Sequence, residues 1–564
     1  MEEIIEDLYT DTRETERLKA ESLNYTSLDL GQRRLCDLEL LLDGTFQPLD
    51  GFMDRERYES VLETMRLPDG AIFPLPICLD AEASTVESVE RGRKIALRDQ
   101  EGFLLAVMTV SDVWEPDRER EARALFGTDD PASHPGVRQF LANVRRFNVG
   151  GRVVGVARPE HYAYNELRRD PNETRRFFAK NGWRDVVAYV TPWVMHRRHR
   201  EMTMEAVRQA GAPLLIQATV GCRDLAREDM YTRVRCYREI LREYPDHLVT
   251  LGLMPLFVRQ AGPREALFHA MLMRTYGCGH FLVTEDYMDP WETTDREPFY
   301  PKWAAAELVS AHERELGIDT VRAETMVYVP DLAQYVPESG IPEGAEVKRL
   351  PPGELIRRLE YGLALPEWYS YPGVEQEMRR AYPPRHKQGF TVFLTGLSGA
   401  GKSTLAKVLY SRFMEMRGRP VTLLDGDIVR RNLSSELTFS DDHRNLNIIR
   451  IGFVANEITK NGGIAICAPI APYESSRLQN RELISRNGGY VEVYLSTPLS
   501  VCESRDRKGM YAKCRAGLIK GYTGVDAPYE EPREPELVVD TSELTPEEAA
   551  QQILLYLAEE GYIK

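Results

Sequence analysis

The chain has 564 residues, which is room for about three or four domains, and its 43% hydrophobic and 28% charged content is that of an ordinary globular protein. A net charge of −16 argues against non-specific nucleic-acid binding, and no run of about 18 apolar residues or N-terminal apolar core marks a membrane span or signal peptide. The eight cysteines are scattered and form no CxxC pair, so neither a zinc site nor a disulfide framework is indicated and a reducing cytoplasm is expected.

Residues 1–165 begin with an acidic helical stretch and continue as short strand-like runs between turn signals. Ala71–Leu79, Lys94–Leu97 and Phe103–Val110 are examples, and together they predict a β-rich domain. From 166 to 328 the pattern changes to strands alternating with helices. Val186–Val190, Leu214–Ala218, Val249–Pro255 and His280–Val283 read as buried parallel strands of a Rossmann-like, doubly wound α/β domain, with ligands expected at their carboxyl ends. His196 and His199 follow the first of these strands. With no third ligand near them, they read as a nucleotide contact or helix-start residues rather than a metal site. A small α/β domain over 329–378 is followed by a basic, proline-containing stretch, 379–387, that reads as a linker.

The strongest signal lies beyond it. Thr391–Thr395 reads as a buried strand, Gly396–Ser403 is a complete G-x-x-x-x-G-K-[ST], and an apolar-periodic helix follows over about 404–417. In such a loop the backbone N–H groups of Gly396, Ser398, Gly399, Ala400 and Gly401 turn toward phosphate oxygens, helped by the helix N-terminus at Thr404. Lys402 can bridge the β- and γ-phosphates of ATP, and the Ser403 hydroxyl can ligate Mg²⁺. A second strand, Val421–Leu424, ends at Asp425 and Asp427, where carboxylates can hold metal-bound water and orient an attacking hydroxyl. Asp427 is expected to face the hydroxyl and Asp425 the metal.

Two resemblances add to these readings. The stretches LCDLELLLDGTFQPLDGFM (35–53), MRLPDGAIFPLPICLD (65–80), GPREALFHA (262–270) and RRLEYGLALPEWYSY (357–371) resemble ATP sulfurylase. The resemblance runs to about Pro372 and implies a barrel-like N-terminal β domain. The chain departs from that family at its nucleotide motif. Where QTRNPMHRAH is usual, it has Val190, Pro192 and Trp193 before His196 and His199; where GRDHAG is usual, it has Glu285, Asp286, Tyr287, Met288 and Asp289. The two lost arginines are the family's sulfate and phosphate ligands, and Asp286, Asp289, Glu292 and Asp295 make the second loop acidic. Each charge-assisted bond contributes about 1.5–3 kcal/mol, so the transition state for sulfate adenylation should be weakened on the order of 10³-fold or more. The expectation is a region without sulfurylase activity, unless Arg197, Arg198 or Arg200 compensates.

From Gly389 to Lys564 the pieces GLSGAGKS, LDGDxVR, FSxxxRxxN, TPLSVCExRDxKGxY and IKGYTGxDxPYE resemble adenylylsulfate (APS) kinase. This implies a P-loop kinase domain over 388–564 that transfers the γ-phosphoryl group of ATP to the 3′-hydroxyl of APS, with Mg²⁺. By resemblance Arg430, Arg444 and Lys520 meet the phosphosulfate, Phe439 and Tyr522 sandwich the adenine, and Asn447 and Ile470 complete the APS site. Arg505, Lys508 and Arg515 are expected at the ATP side and on a lid. The family often has Ser-Pro at Ala471-Pro472; without that hydroxyl, direct in-line transfer is the mechanism the chain supports. The functional expectation is an APS kinase carrying a silent sulfurylase-like region. The alternatives are a bifunctional PAPS synthetase, or a sensing or assembly role for residues 1–372. ATP and APS are the expected partners, and a homo-oligomer, dimer or hexamer, the expected assembly.

Overall fold

In a computed structural model of the chain, the described residues are 4–221, 229–290, 296–438 and 440–564. Phe439, Glu292, Asp295 and the side chain of Asp427 lie outside them. Residues Met1–Ile356 and Leu365–Ala381 form one compact unit; Arg357–Ala364 and Tyr382–Lys564 form a second.

The first unit opens on a six-stranded sheet: β1 (Thr26–Asp29), β2 (Gly51–Phe52), β3 (Leu79–Ala81), β4 (Lys94–Arg98), β5 (Leu104–Trp114) and β6 (Phe147–Gly155). Its order is β1-β4-β5-β6-β2, with β3 also on β6; β1 runs parallel to β4 and the other pairs are antiparallel. This corrects the expected barrel-like β domain. Among the described residues the strand path does not close, and helices such as Gln32–Leu42, Arg55–Thr64 and Arg118–Phe126 make the region mixed α/β. Of Ala71–Leu79 only the last residue, the first of β3, is in a strand. Pro74 and Pro76 remove two ladder donors, and the segment keeps only a bridge from Ile72 to Arg66 while burying Phe73, Leu75 and Ile77 completely.

A five-stranded, all-parallel sheet follows: β7 (Val187–Thr191), β8 (Leu214–Thr219), β9 (Val249–Met254), β10 (His280–Thr284) and β11 (Asp319–Ala323), in the order β11-β10-β7-β8-β9. β7, β8, β9 and β10 match the four expected strands to within a residue or two, whereas β11 was not among them. The chain leaves β7 toward β8 on one side and returns to β10 on the other, so the switch point lies between β7 and β10. Residues 192–199 and 285–288 therefore start from neighbouring strand ends. Phe268 packs against Phe46 and Phe73 at 5.6 and 5.7 Å between ring centroids, so one core serves both sheets. A hairpin, β12 (Met326–Val329) with β13 (Gln334–Pro337), precedes helices Pro352–Tyr361 and Pro372–Ala381. The expected linker thus starts inside a helix, at Arg379, and ends in the turn Arg385–Lys387.

The second unit is a parallel sheet of β14 (Phe390–Gly396), β15 (Val421–Asp425), β16 (Ile464–Ala468), β17 (Gly489–Leu495) and β18 (Leu537–Val539), ordered β15-β16-β14-β17-β18. Central β14 is buried along its whole length, Thr391 and Thr395 included, as a mostly apolar, β-prone strand can be when helices cover both faces. Helix Lys402–Met416 follows directly from the glycine-rich loop, and helix Asp441–Lys460 starts from a Ser440 cap.

Candidate functional site

The loop after β14 turns on glycines in conformations closed to other residues. Gly399 has φ +83°, and a Cβ there would lie 2.7 Å from the Cys502 carbonyl oxygen. Lys402, only 7% exposed, folds back so that Nζ donates to the carbonyls of Gly396 (2.8 Å) and Leu397 (2.7 Å). Burial lowers its pKa to about 8.

The loop opens onto a cavity of about 920 Å³. Ser398, Gly399, Gly401, Lys402, Ser403 and Thr404 form its phosphate side. Gly396 and Ala400 do not line it and act through backbone shape; the Ala400 carbonyl accepts from Thr541 Oγ1 at 3.0 Å. Opposite stand Arg430, Arg444, Asn447 and Ile470, and around the rim Arg505, Lys508, Lys520 and Tyr522. Arg430 donates to the Thr438 carbonyl at 3.0 Å, and Arg444 to Thr523 Oγ1 at 3.3 Å and to the Gly521 carbonyl. Asn447 is 5% exposed and its Oδ1 has no partner in the protein, which leaves a buried acceptor for a ligand donor. Tyr522 packs edge-on to Tyr511 at 5.0 Å, and Tyr511 donates to the Ser398 carbonyl at 2.8 Å.

Arg515 is the exception. It pairs with Glu503 at 2.5 Å, is 57% exposed and does not line the cavity. A basic residue in a basic stretch gave no hint of which way it would turn. Thr541 was missed in the sequence. It receives Arg505 Nη1 at 2.9 Å and Thr497 lies 2.8 Å away, so it ties the end of β18 to the phosphate loop. Its only signal was its place just past a strand end.

Ser403 and Asp425 line the same cavity, and one hydroxyl with one carboxylate suits a divalent cation that arrives on phosphates. Among the described residues no group of three His, Cys, Asp or Glu could hold an ion alone.

The degenerate positions of the first unit stand at the ends of two neighbouring strands, β7 and β10. Val190 is buried in β7; the Pro192 carbonyl accepts from buried Arg233 at 2.7 Å, and the Trp193 carbonyl from Tyr237 at 2.6 Å. His196 Nδ1 lies 3.0 Å from Ser370 Oγ, and the His196 N–H donates to His199 Nδ1 at 2.9 Å. Burial, then the charge of Arg198, lowers His196 to about 3 and moves His199 in the same direction. Met288 has φ +50°, and buried Asp289 accepts the N–H groups of Phe299 and Tyr300 at 2.7 and 3.0 Å. Glu285 is paired with Lys302 at 2.6 Å, a counter-charge that offsets part of the expected repulsion. Arg197 is engaged by the Ser370 carbonyl and the Tyr371 ring, and Arg200 by Glu201 and the Glu243 carbonyl.

Family models match this chain in three stretches: a PUA-like domain over 2–158, ATP-sulfurylase over 165–381 and adenylylsulphate kinase over 388–540. Sulfate adenylyltransferase of Mycosarcoma maydis is 44% identical over 97% of this chain and 96% of its own. That of Aspergillus oryzae is 42% identical over 99% and 98%. The chain belongs to the ATP sulfurylase family whose members carry a C-terminal APS kinase domain. A solved structure described as a hexameric APS kinase from Thiobacillus denitrificans superposes with a TM-score of 0.81 at 38% identity, covering 100% of this chain and 98% of that one. The family's domain order, sulfurylase before kinase, is the one expected from sequence. The relatives' name, sulfate adenylyltransferase, supports the bifunctional alternative better than the expected loss of sulfurylase activity.

Proposed function

We propose that the second unit transfers the γ-phosphoryl group of ATP to the 3′-hydroxyl of APS, giving PAPS. The observation that carries this is the single cavity in which the phosphate loop, Asp425 and the cations Arg430, Arg444, Lys508 and Lys520 meet. Lys402 would exchange its loop carbonyls for phosphate oxygens, leaving the loop N–H groups to hold the β-phosphate. Asp427 would orient the 3′-hydroxyl, and Arg444 and Lys520 the phosphosulfate. Ser403 and Asp425 would hold Mg²⁺, which would supply charge neutralisation for the transferring phosphoryl group. Tyr522, with Phe439, would stack the adenine. Lys402→Ala should lower ATP- and APS-dependent PAPS formation by about 10²–10⁴-fold, the loss of one or two charge-assisted contacts. PAPS formation at the parent rate by this variant would refute the reading.

For the first unit two readings compete. The side chains favour silence: Pro192 and Trp193 stand where charged and amide ligands are needed, and Arg197 and Arg200 are committed elsewhere. The relatives' name favours a second live step, sulfate adenylation. Sulfate-dependent pyrophosphate release from ATP by the full chain separates them: ordinary turnover establishes the bifunctional enzyme. The likeness to a hexameric structure supports a homo-oligomer.

A further inference from the structure

The first unit holds a small cavity of about 10 Å³, room for one water-sized particle. Arg33 lines it from the helix Gln32–Leu42, Gly136 and Gln139 from the helix Pro135–Asn143, and Phe257 and Arg259 from the loop after β9. Two guanidinium groups thus share a cavity whose lining includes no carboxylate.

Neither guanidinium is satisfied by the protein. Arg259 is 5% exposed, and its Nη1 donates to the Phe257 carbonyl at 3.1 Å. Its Nη2 has no hydrogen-bond acceptor among the described residues; Asp37 Oδ1 stands 3.7 Å off. Arg33 lies 4.9 Å over the Phe257 ring, its buried Nε also lacks an acceptor, and it forms no ion pair among the described residues. The acids around the pair are engaged elsewhere. Asp37 Oδ2 lies 3.3 Å from Arg34, and Asp80 accepts from Arg34 at 2.5 Å and from the Arg145 N–H at 2.8 Å. Glu265 accepts the N–H groups of Arg259 and Ala261 at 2.7 and 2.9 Å. Burial, then the charges of Arg34 and Arg259, lower the pKa of Arg33 to about 9. A buried cation without a counter-charge is costly, and an orphaned buried donor marks a place where a water or ion belongs.

We infer that this cavity binds one small spherical monoanion, a halide such as chloride, between the guanidinium groups of Arg33 and Arg259. The anion would accept from the two orphaned donors, Arg33 Nε and Arg259 Nη2, with the Gln139 amide at the wall. Gly136 lies in the first turn of its helix, where backbone N–H groups have no intrahelical acceptor and the helix dipole favours negative charge. A Cβ at Gly136 would fall 2.7 Å from the Arg259 carbonyl oxygen, so only glycine lets this helix start approach the loop so closely. Sulfate and phosphate are too large for the space. Water fits the volume but supplies no charge. The bound halide would tie the helix Gln32–Leu42 to the loop after β9, and by binding the folded form alone it would stabilise the first unit.

Two measurements on the full chain test this. Crystals soaked in sodium bromide should show an anomalous peak between the Arg33 and Arg259 guanidinium groups; this uses the parent protein and needs no variant to fold. In calorimetry, replacing gluconate by chloride at fixed total salt should raise the first unit's transition by several degrees, because gluconate cannot enter. In Arg33→Met the same replacement should leave that transition where it is. Absence of the bromide peak, a peak without the chloride response (binding at crystal concentration only), or a response that persists in Arg33→Met would overturn the inference.

Discussion

Lys402 shows how a single charge is made to wait for its ligand. Burial holds its pKa near 8, below the ordinary 10.5, so at pH 9 much of the population is neutral. On the proposed function, nucleotide phosphates would supply the missing counter-charge and return the group to its protonated form. ATP binding at pH 9 should therefore take up close to one proton, and at pH 7 almost none. Titration calorimetry in two buffers of different ionisation enthalpy measures this, and equal uptake at both pH values would contradict it. In the apo-protein the same shift means that the unfolded chain binds more protons between pH 8 and 10.5, so stability rises with pH across that window.

At the scale of elements, the corner after β16 depends on one buried arginine. Arg477 is 1% exposed; it donates to the Ala471 carbonyl at 2.6 Å and the Glu530 carbonyl at 2.7 Å, and lies 3.0 Å from Glu492. It pins Ala471 at φ +49°, a left-handed conformation that alanine seldom adopts, beside Ile470 at the cavity. Arg477→Met should destabilise the second unit by about 1–3 kcal/mol, because the buried Ala471 and Glu530 carbonyls lose their donor while Glu492 keeps its pair with Arg481 at 3.0 Å. Urea unfolding followed in that unit checks this, and a variant as stable as the parent would contradict it. None of it was legible in the sequence, where an arginine in a polar helix reads as solvated. The phosphate loop was legible because a strand, a fixed glycine spacing and a helix must all occur together; β14 extends the expected strand by only a residue at each end. In the N-terminal region Lys94–Leu97 and Phe103–Val110 fall on β4 and β5 as expected, but other apolar runs were misread because they fit buried coil and helix as well as strand. Gln32–Leu42, expected as part of a β domain, is a helix with Leu38, Leu40, Leu41 and Leu42 fully buried.

Across the whole molecule, the two units should respond differently to acid. His134, His196, His199 and His269 are all buried in the first unit, and burial lowers His134 to about 4 and His196 and His269 to about 3, with His199 shifted the same way. Between pH 6.5 and those values the unfolded chain holds the extra protons, so stability falls as pH drops, by about 1.4 kcal/mol per pH unit for each group. Calorimetry at pH 7 and pH 5 should show the first unit's transition moving down by several degrees more than the second's. Equal shifts would contradict it.

The chain's path between the units has a practical consequence. Because Arg357–Ala364 belongs to the second unit while Leu365–Ala381 returns to the first, the backbone crosses three times. A protease nick near Tyr382 would leave both fragments clasped together, since the N-terminal one still contributes a segment to its neighbour's body. A kinase fragment begun at Gln388 would lack that segment, along with the Glu360 carboxylate 3.9 Å from Arg385. Dissection at the obvious seam would therefore yield a fragment missing part of its own structure.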